Sequence, residues 1–194
     1  SAEDDSSVSA DSSTLEVGSD KTYSTIQSAI DAASSGDTIK VYVGTYNENV
    51  IVDKTLNIIG EGAGDTIIDA GGSSSAMIVE EDNCRIEELS FTNSGGESME
   101  GFNAGLITKA NYTLIQNCTF YDNYMGALLR GGDQFTKNKM VYSEAYENEV
   151  HGIGIGRYST IQACYSHDNE GSGFWAFVTP GSLLERCRAE DNGY

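Results

Sequence analysis

Hydrophobic and polar positions in the second half of the chain recur in a fixed phrase. Ile115-Gln-Asn-Cys118-Thr-Phe-Tyr-Asp122-Asn123 returns as Ile161-Gln-Ala-Cys164-Tyr-Ser-His-Asp168-Asn169, then as Leu184-Glu-Arg-Cys187-Arg-Ala-Glu-Asp191-Asn192. A degenerate copy, Met140-Val-Tyr-Ser143-Glu-Ala-Tyr-Glu147-Asn148, stands between the first two. The closing asparagines are 25, 21 and 23 residues apart, and no helical periodicity runs inside the phrase. A recurrence of that length predicts one solenoid coil per repeat. A single coil cannot bury its apolar face alone, so the coils must stack.

Within each coil an apolar residue (Ile86, Ile115, Met140, Ile161, Leu184) precedes a second column (Leu89, Cys118, Ser143, Cys164, Cys187) by three positions. Strand faces alternate with period two, so burying both columns requires a bend between them. After the asparagine each coil resumes with glycine and apolar residues: Gly126-Ala-Leu-Leu129, Gly152-Ile-Gly-Ile155 and Gly173-Phe-Trp-Ala-Phe177. At least two strands per coil follow, separated by a turn that holds the asparagine. An asparagine tolerates left-handed backbone there. Stacked on its counterparts, it can pass amide hydrogen bonds along the axis. Asn123, Asn148, Asn169 and Asn192 are therefore read as a structural ladder, and Cys118, Cys164 and Cys187 as a core stack. In-phase residues on adjacent coils lie about 5 Å apart, which would permit a Cys164–Cys187 bridge, but parallel side chains suit disulfide geometry poorly. Small buried thiols are the expectation.

Residues 1–14 are rich in Ser, Asp and Glu and read as a flexible acidic leader, with the folded domain over 15–194. Ile26, Ala29, Ile30 and Ala33 share one face at helical spacing, which predicts a short amphipathic helix over Tyr23–Ala33. Strand-like runs follow at Ile39–Val43, Val50–Val52 and Leu56–Ile58, with turns at Gly44, Gly60–Gly62 and Gly71–Gly72. The last phrase stops at Tyr194, without a helix or polar coil to cover it, and the C-terminal end is expected to be uncapped.

The segments Tyr23-Ser-Thr-Ile-Gln-Ser-Ala-Ile30, Gly36-Asp-Thr-Ile39, Gly44-Thr-Tyr-Asn-Glu48 and Lys54-Thr-Leu-Asn-Ile-Ile-Gly60 resemble the opening of right-handed parallel β-helix proteins, the pectin-lyase-like or NosD-like repeat proteins of archaeal and bacterial surfaces. The resemblance covers about residues 15–194. It implies an all-β, right-handed parallel β-helix solenoid whose N-terminal helix caps one end. It does not imply an activity, because one fold hosts many functions. Lyases of this kind use a calcium-binding carboxylate cluster with an Arg or Lys base, and the related hydrolases use aspartates with Gly-His-Gly and Arg-x-Lys elements. Here His151-Gly152 lacks the preceding glycine, Lys137-Asn-Lys139 lacks the arginine, and the repeats hold no Asp-Asp pair. No catalytic residue carries over.

A net charge of −19, from 11 basic and 30 acidic residues, disfavours nucleic acid and anionic membrane surfaces. No apolar run is long enough to span a bilayer. The sequons Asn111-Tyr-Thr113 and Asn117-Cys-Thr119 are candidate glycosylation sites and suit an extracellular or cell-surface location. Asp122, Glu147, Asp168 and Asp191 precede the ladder asparagines; they either splay into solvent or share a calcium ion. Tyr121, Tyr146 and His167 fall in one phase and, with Trp175 elsewhere, are candidate glycan contacts; tyrosine also suits strands with no ligand. Arg130 and Arg157 close two coils and either bind acidic sugars or pair with surface carboxylates. Absence of a transferable catalytic set places first a non-catalytic extracellular scaffold of a surface layer or sheath, self-associating by end-to-end stacking. A polysaccharide lyase or hydrolase, or a glycan-binding module, is the alternative.

Overall fold

The structure, a computed structural model, describes residues 12–98, 101–130, 137–176 and 180–194. Most of the leader and Phe177 lie outside the described residues. Thr14, the last residue assigned to the leader, already opens the first strand, and Asp37 holds the Ser13 N–H at 2.7 Å.

Each complete coil lays down three strands, one more than the minimum the repeat demanded, and like strands pair in parallel from coil to coil. Among the described residues this builds three long sheets. The first runs through Thr14–Val17, Thr38–Val41, Asn57–Ile59, Arg85–Glu87, Leu114–Gln116, Lys139–Val141, Thr160–Gln162 and Leu183–Glu185. The second runs through Gly44–Asn47, Thr66–Asp69, Ser90–Thr92, Thr119–Tyr121, Glu144–Tyr146, Tyr165–His167 and Arg188–Glu190. The third runs through Val50–Val52, Met77–Val79, Ala104–Thr108, Met125–Leu129, His151–Ile155 and Phe174–Ala176. The result is an all-β, right-handed parallel β-helix of about 7 turns. Gly44 begins a strand instead of a turn, and the coils reach back to Thr14, well before the recurring phrase becomes visible.

Register explains the columns. Ile86, Ile115, Met140, Ile161 and Leu184 pair directly across successive strands of the first sheet. The first four are fully buried, and Leu184 on the last rung is exposed. The required bend is a single left-handed residue between the two columns: Glu88, Asn117, Tyr142, Ala163 and Arg186 all have φ between 50 and 55°. That one residue turns the chain from the first sheet into the second and brings Leu89, Cys118, Ser143 and Cys164 back inside. Phe91 stacks on Phe120 at 5.2 Å in the same interior, a contact contributing about 1 kcal/mol beyond its buried area.

The helix spans Ile26–Ala32 and buries Ile26, Ala29 and Ile30 against the solenoid core. Thr25 caps it through the Ser28 N–H. Both Glu48 carboxylate oxygens accept from its first turn, from the N–H groups of Ile26 (2.8 Å) and Gln27 (3.0 Å). The Lys54 ammonium donates to the carbonyls of Ile30, Asp31 and Ala33 at its other end. These contacts place a carboxylate at the positive end and an ammonium at the negative end of the helix.

Candidate functional site

The corner between the second and third sheets holds the asparagines in one buried column. Asn123, Asn148 and Asn169 are at most 2% exposed. Each ladder carboxamide oxygen accepts the backbone N–H of the preceding rung: Asn123 N–H to Asn148 Oδ1 (3.1 Å), Asn148 N–H to Asn169 Oδ1 and Asn169 N–H to Asn192 Oδ1 (both 3.2 Å). The amide groups of Asn148 and Asn169 also donate to the next Oδ1, at 2.7 and 2.8 Å. The same nitrogens satisfy interior carbonyls, Asn123 bonding Phe91 and Tyr121, and Asn148 bonding Phe120. The asparagines themselves are not left-handed. That conformation falls on the residue before each: Asp122, Glu147, Asp168 and Asp191, at φ 50 to 53°. Asn93 is likewise a left-handed corner residue at φ 58°, and Ser94 takes the ladder place by donating its N–H to Asn123 Oδ1. The short polar side chain is needed inside, for bonding, while the strained corner points its side chain outward. The glycines after the ladder fit this crowding: a Cβ on Gly126 would lie 2.3 Å from the Gly152 carbonyl and 3.0 Å from Asn148 Nδ2.

Cys118, Ser143, Cys164 and Cys187 follow one another in one column, with Ser143 accepting the Cys118 N–H through its hydroxyl. All four cysteines are free thiols. Burial pushes the Cys118 and Cys164 thiols up to about 12, so neither is a nucleophile at neutral pH.

Outside the solenoid, the second sheet presents a different surface. Alternation along its strands aims Phe120, Ala145 and Ser166 inward and the residues on either side outward. Tyr121, Tyr146 and His167 form one outward row in register. The rings stack, with centroids 5.5 Å and 5.2 Å apart and planes within 11° of parallel. Their faces are turned to one another, so edges and polar atoms face the solvent. Trp175 is not part of this row; it lies on the third sheet, stacked on His151 at 5.2 Å.

His167 gathers the charged groups. Its Nε2 lies 3.1 Å from Glu144 Oε1 and its Nδ1 2.6 Å from Asp168 Oδ2, and its ring packs on Tyr165 at 4.3 Å. Burial disfavours the imidazolium, but bonding to Asp168 and Glu144 outweighs it and holds the His167 pKa above its ordinary value. Tyr165 donates its hydroxyl to Glu190 at 2.8 Å, and Arg188 pairs with the same carboxylate. Those two bonds, the tyrosine's first, hold the Glu190 carboxyl below the usual range. A histidine fixed between two carboxylates can hold or move a proton at neutral pH. Glu144, Tyr165 and Glu190 were missed in the sequence because they vary in type from coil to coil. Asn138 was missed too; it bonds the Thr113 N–H, Thr108 Oγ1 and the Ala110 carbonyl at the remaining corner.

Asp122, Glu147, Asp168 and Asp191 are exposed on their corners. Among the described residues no three His, Cys, Asp or Glu side chains converge as metal ligands. No helix among them is long and apolar enough to cross a membrane.

Residues 58–194 match the family model described as a right handed beta helix region. This chain belongs to the right-handed β-helix family. A search of curated proteins returned no match. Among solved structures it is similar to the pectate lyase Pel9A (TM-score 0.78, 18% identity, 95% of this chain and 55% of that one). It is also similar to the pectin methylesterase of Aspergillus niger (TM-score 0.69, 22% identity, 94% and 68%) and to that of carrot (TM-score 0.68, 16% identity, 96% and 65%). At these identities the likeness is one of fold. The chain spans little more than half the length of the lyase.

Proposed function

We propose that this chain is an extracellular polysaccharide-binding β-helix domain, receiving a sugar chain along the outer face of the second sheet. The observation that carries this reading is the row Tyr121–Tyr146–His167, with Glu144, Tyr165 and Glu190 beside it. Its step of 5.2 to 5.5 Å from ring to ring is close to the length of one sugar unit in an extended chain. Polar edges repeated at that step can bond successive hydroxyl groups of a polymer. In this reading the helix Ile26–Ala32 closes one end of the solenoid, and the binding face lies along its flank. The polysaccharide-active neighbours of the same fold support it by analogy.

Gel retardation by linear polysaccharides tests the proposal, with xylan, a mixed-linkage glucan and polygalacturonate as probes. Retardation by at least one is expected, with Tyr146→Ala and Glu144→Gln each weakening binding about tenfold, as loss of a central contact does. No retardation by any of a broad panel would remove the reading. New chain ends released during incubation would turn it from binding to catalysis. A scaffold of a surface layer or sheath is the second reading. It is favoured by the continuous internal ladder, which stiffens the rod, and by the burial of the Cys118 and Cys164 thiols. Monomers alone in concentrated solution would count against its self-association.

A further inference from the structure

The two sequons lie on either side of one first-sheet strand, Leu114–Gln116, and the fold treats them differently. At the first, Asn111 donates both its backbone N–H (2.7 Å) and its Nδ2 (3.2 and 3.3 Å) to the Asp82 carboxylate on the neighbouring coil. Its Oδ1 is buried without a partner, and so is the hydroxyl of Thr113, a residue only 1% exposed. The carboxamide plane is thereby fixed, with its nitrogen turned into the corner. A sugar on that nitrogen would have to fit beside the Asp82 carboxylate at a corner that already buries the Asn111 Oδ1 and the Thr113 hydroxyl, and so would open the coil.

Asn117 stands at the apex of the next corner, at φ 50°. Its Nδ2 donates to Glu88 Oε1 at 2.6 Å, from the equivalent apex of the preceding coil. A carboxamide nitrogen has two hydrogens, so attachment of a sugar through one leaves the other for Glu88. The coil on the other side places Tyr142 in the same column, since Gln116 pairs with Val141 and the Asn117 N–H donates to the Val141 carbonyl. Tyr142 is 65% exposed and left-handed at φ 51°. A bulky residue is costly in that conformation. An aromatic ring left in water one coil from a sequon asparagine is placed to pack on a sugar.

We propose that Asn117, and not Asn111, carries an N-linked oligosaccharide, and that its first sugar lies against the Tyr142 ring. The inference stands apart from polysaccharide binding by the second sheet. The test is secretion of the full chain from a eukaryotic host that glycosylates sequons, followed by intact-mass and glycopeptide analysis. One glycan, at Asn117, is expected. Asn117→Gln and Thr119→Ala should each return the mass to that of the bare chain, the second without altering the asparagine. Thr113→Val should leave the glycan in place. Tyr142→Ala should keep the modification but let an endoglycosidase remove it several-fold faster from native protein. A bare secreted chain, or a glycan on Asn111 of folded protein, would overturn the site; equal removal rates would overturn the packing on Tyr142.

Discussion

The inside and the outside of the second sheet repeat at the same interval but use it for opposite ends. Inside, Asn123, Asn148, Asn169 and Asn192 present one residue type and bond groups that have no access to water. Outside, Tyr121, Tyr146, His167 and Glu190 keep the register but change in type. A buried hydrogen-bonding column admits few residue types, because each unpaired polar group inside costs about 1–3 kcal/mol. An outward row is held to no such demand, and its chemistry is free to follow a ligand. Repetition of identity marks support, and repetition of position with varied chemistry marks a surface.

Breaking the inner column should have the largest effect. Asn148→Ala removes the acceptor of the Asn123 N–H and the donor to the Phe120 carbonyl. A loss of roughly 3 kcal/mol, or unfolding outright, is expected in urea titrations. Asn192, half-buried on the last rung, should tolerate alanine with a clearly smaller loss. Equal losses at the two positions would contradict the role given to burial.

A smaller effect is expected on the outer row, and it should depend on pH. The folded-state pKa of His167 lies above the ordinary histidine value of 6.5. Its charge therefore adds stability that is complete below pH 6.5 and is lost as pH rises through the folded value. Unfolding free energy measured from pH 5 to 9 should show that decline, and His167→Gln should flatten it while leaving the inner column intact. A decline unchanged in the variant would assign it to other groups.

The core thiols should show the least. In native protein at neutral pH, an aromatic disulfide reagent should modify Cys187, which is half-buried, well before Cys118 or Cys164. Fast labelling of all three would mean that the coils open far more readily than their packing implies.

Much of this architecture could be read from residue order alone, and the reasons are physical. Ile115 and its counterparts, the cysteine column and the asparagines repeat because a buried position restricts size and polarity. The left-handed corners were assigned to the asparagines, whereas Asp122, Glu147 and Asp168 hold them. Both residues favour turns, and spacing does not separate neighbours. The recurring phrase does not show before Ile115 because Gly71 and Ser94 stand where later coils place the ladder asparagine. Trp175 follows the ladder whereas the tyrosines precede it, and this difference of phase puts it on another sheet. That the Tyr121 and Tyr146 faces meet each other depends on side-chain angles that periodicity does not encode. His167, Glu144 and Asp168 come together across two coils, and only the register shows it.

The repeat lengths of 25, 21 and 23 have a simple anatomy. From the apolar residue to the asparagine the distance is the same in all four (115 to 123, 140 to 148, 161 to 169, 184 to 192), so the variation falls after the asparagine, most of it in the stretch from the third sheet back to the first. In these four turns one arc is therefore invariant, and the opposite arc is elastic. New loops can be inserted there without disturbing the stacked spine, and a solenoid of this design can diversify along that flank while its interior stays unchanged.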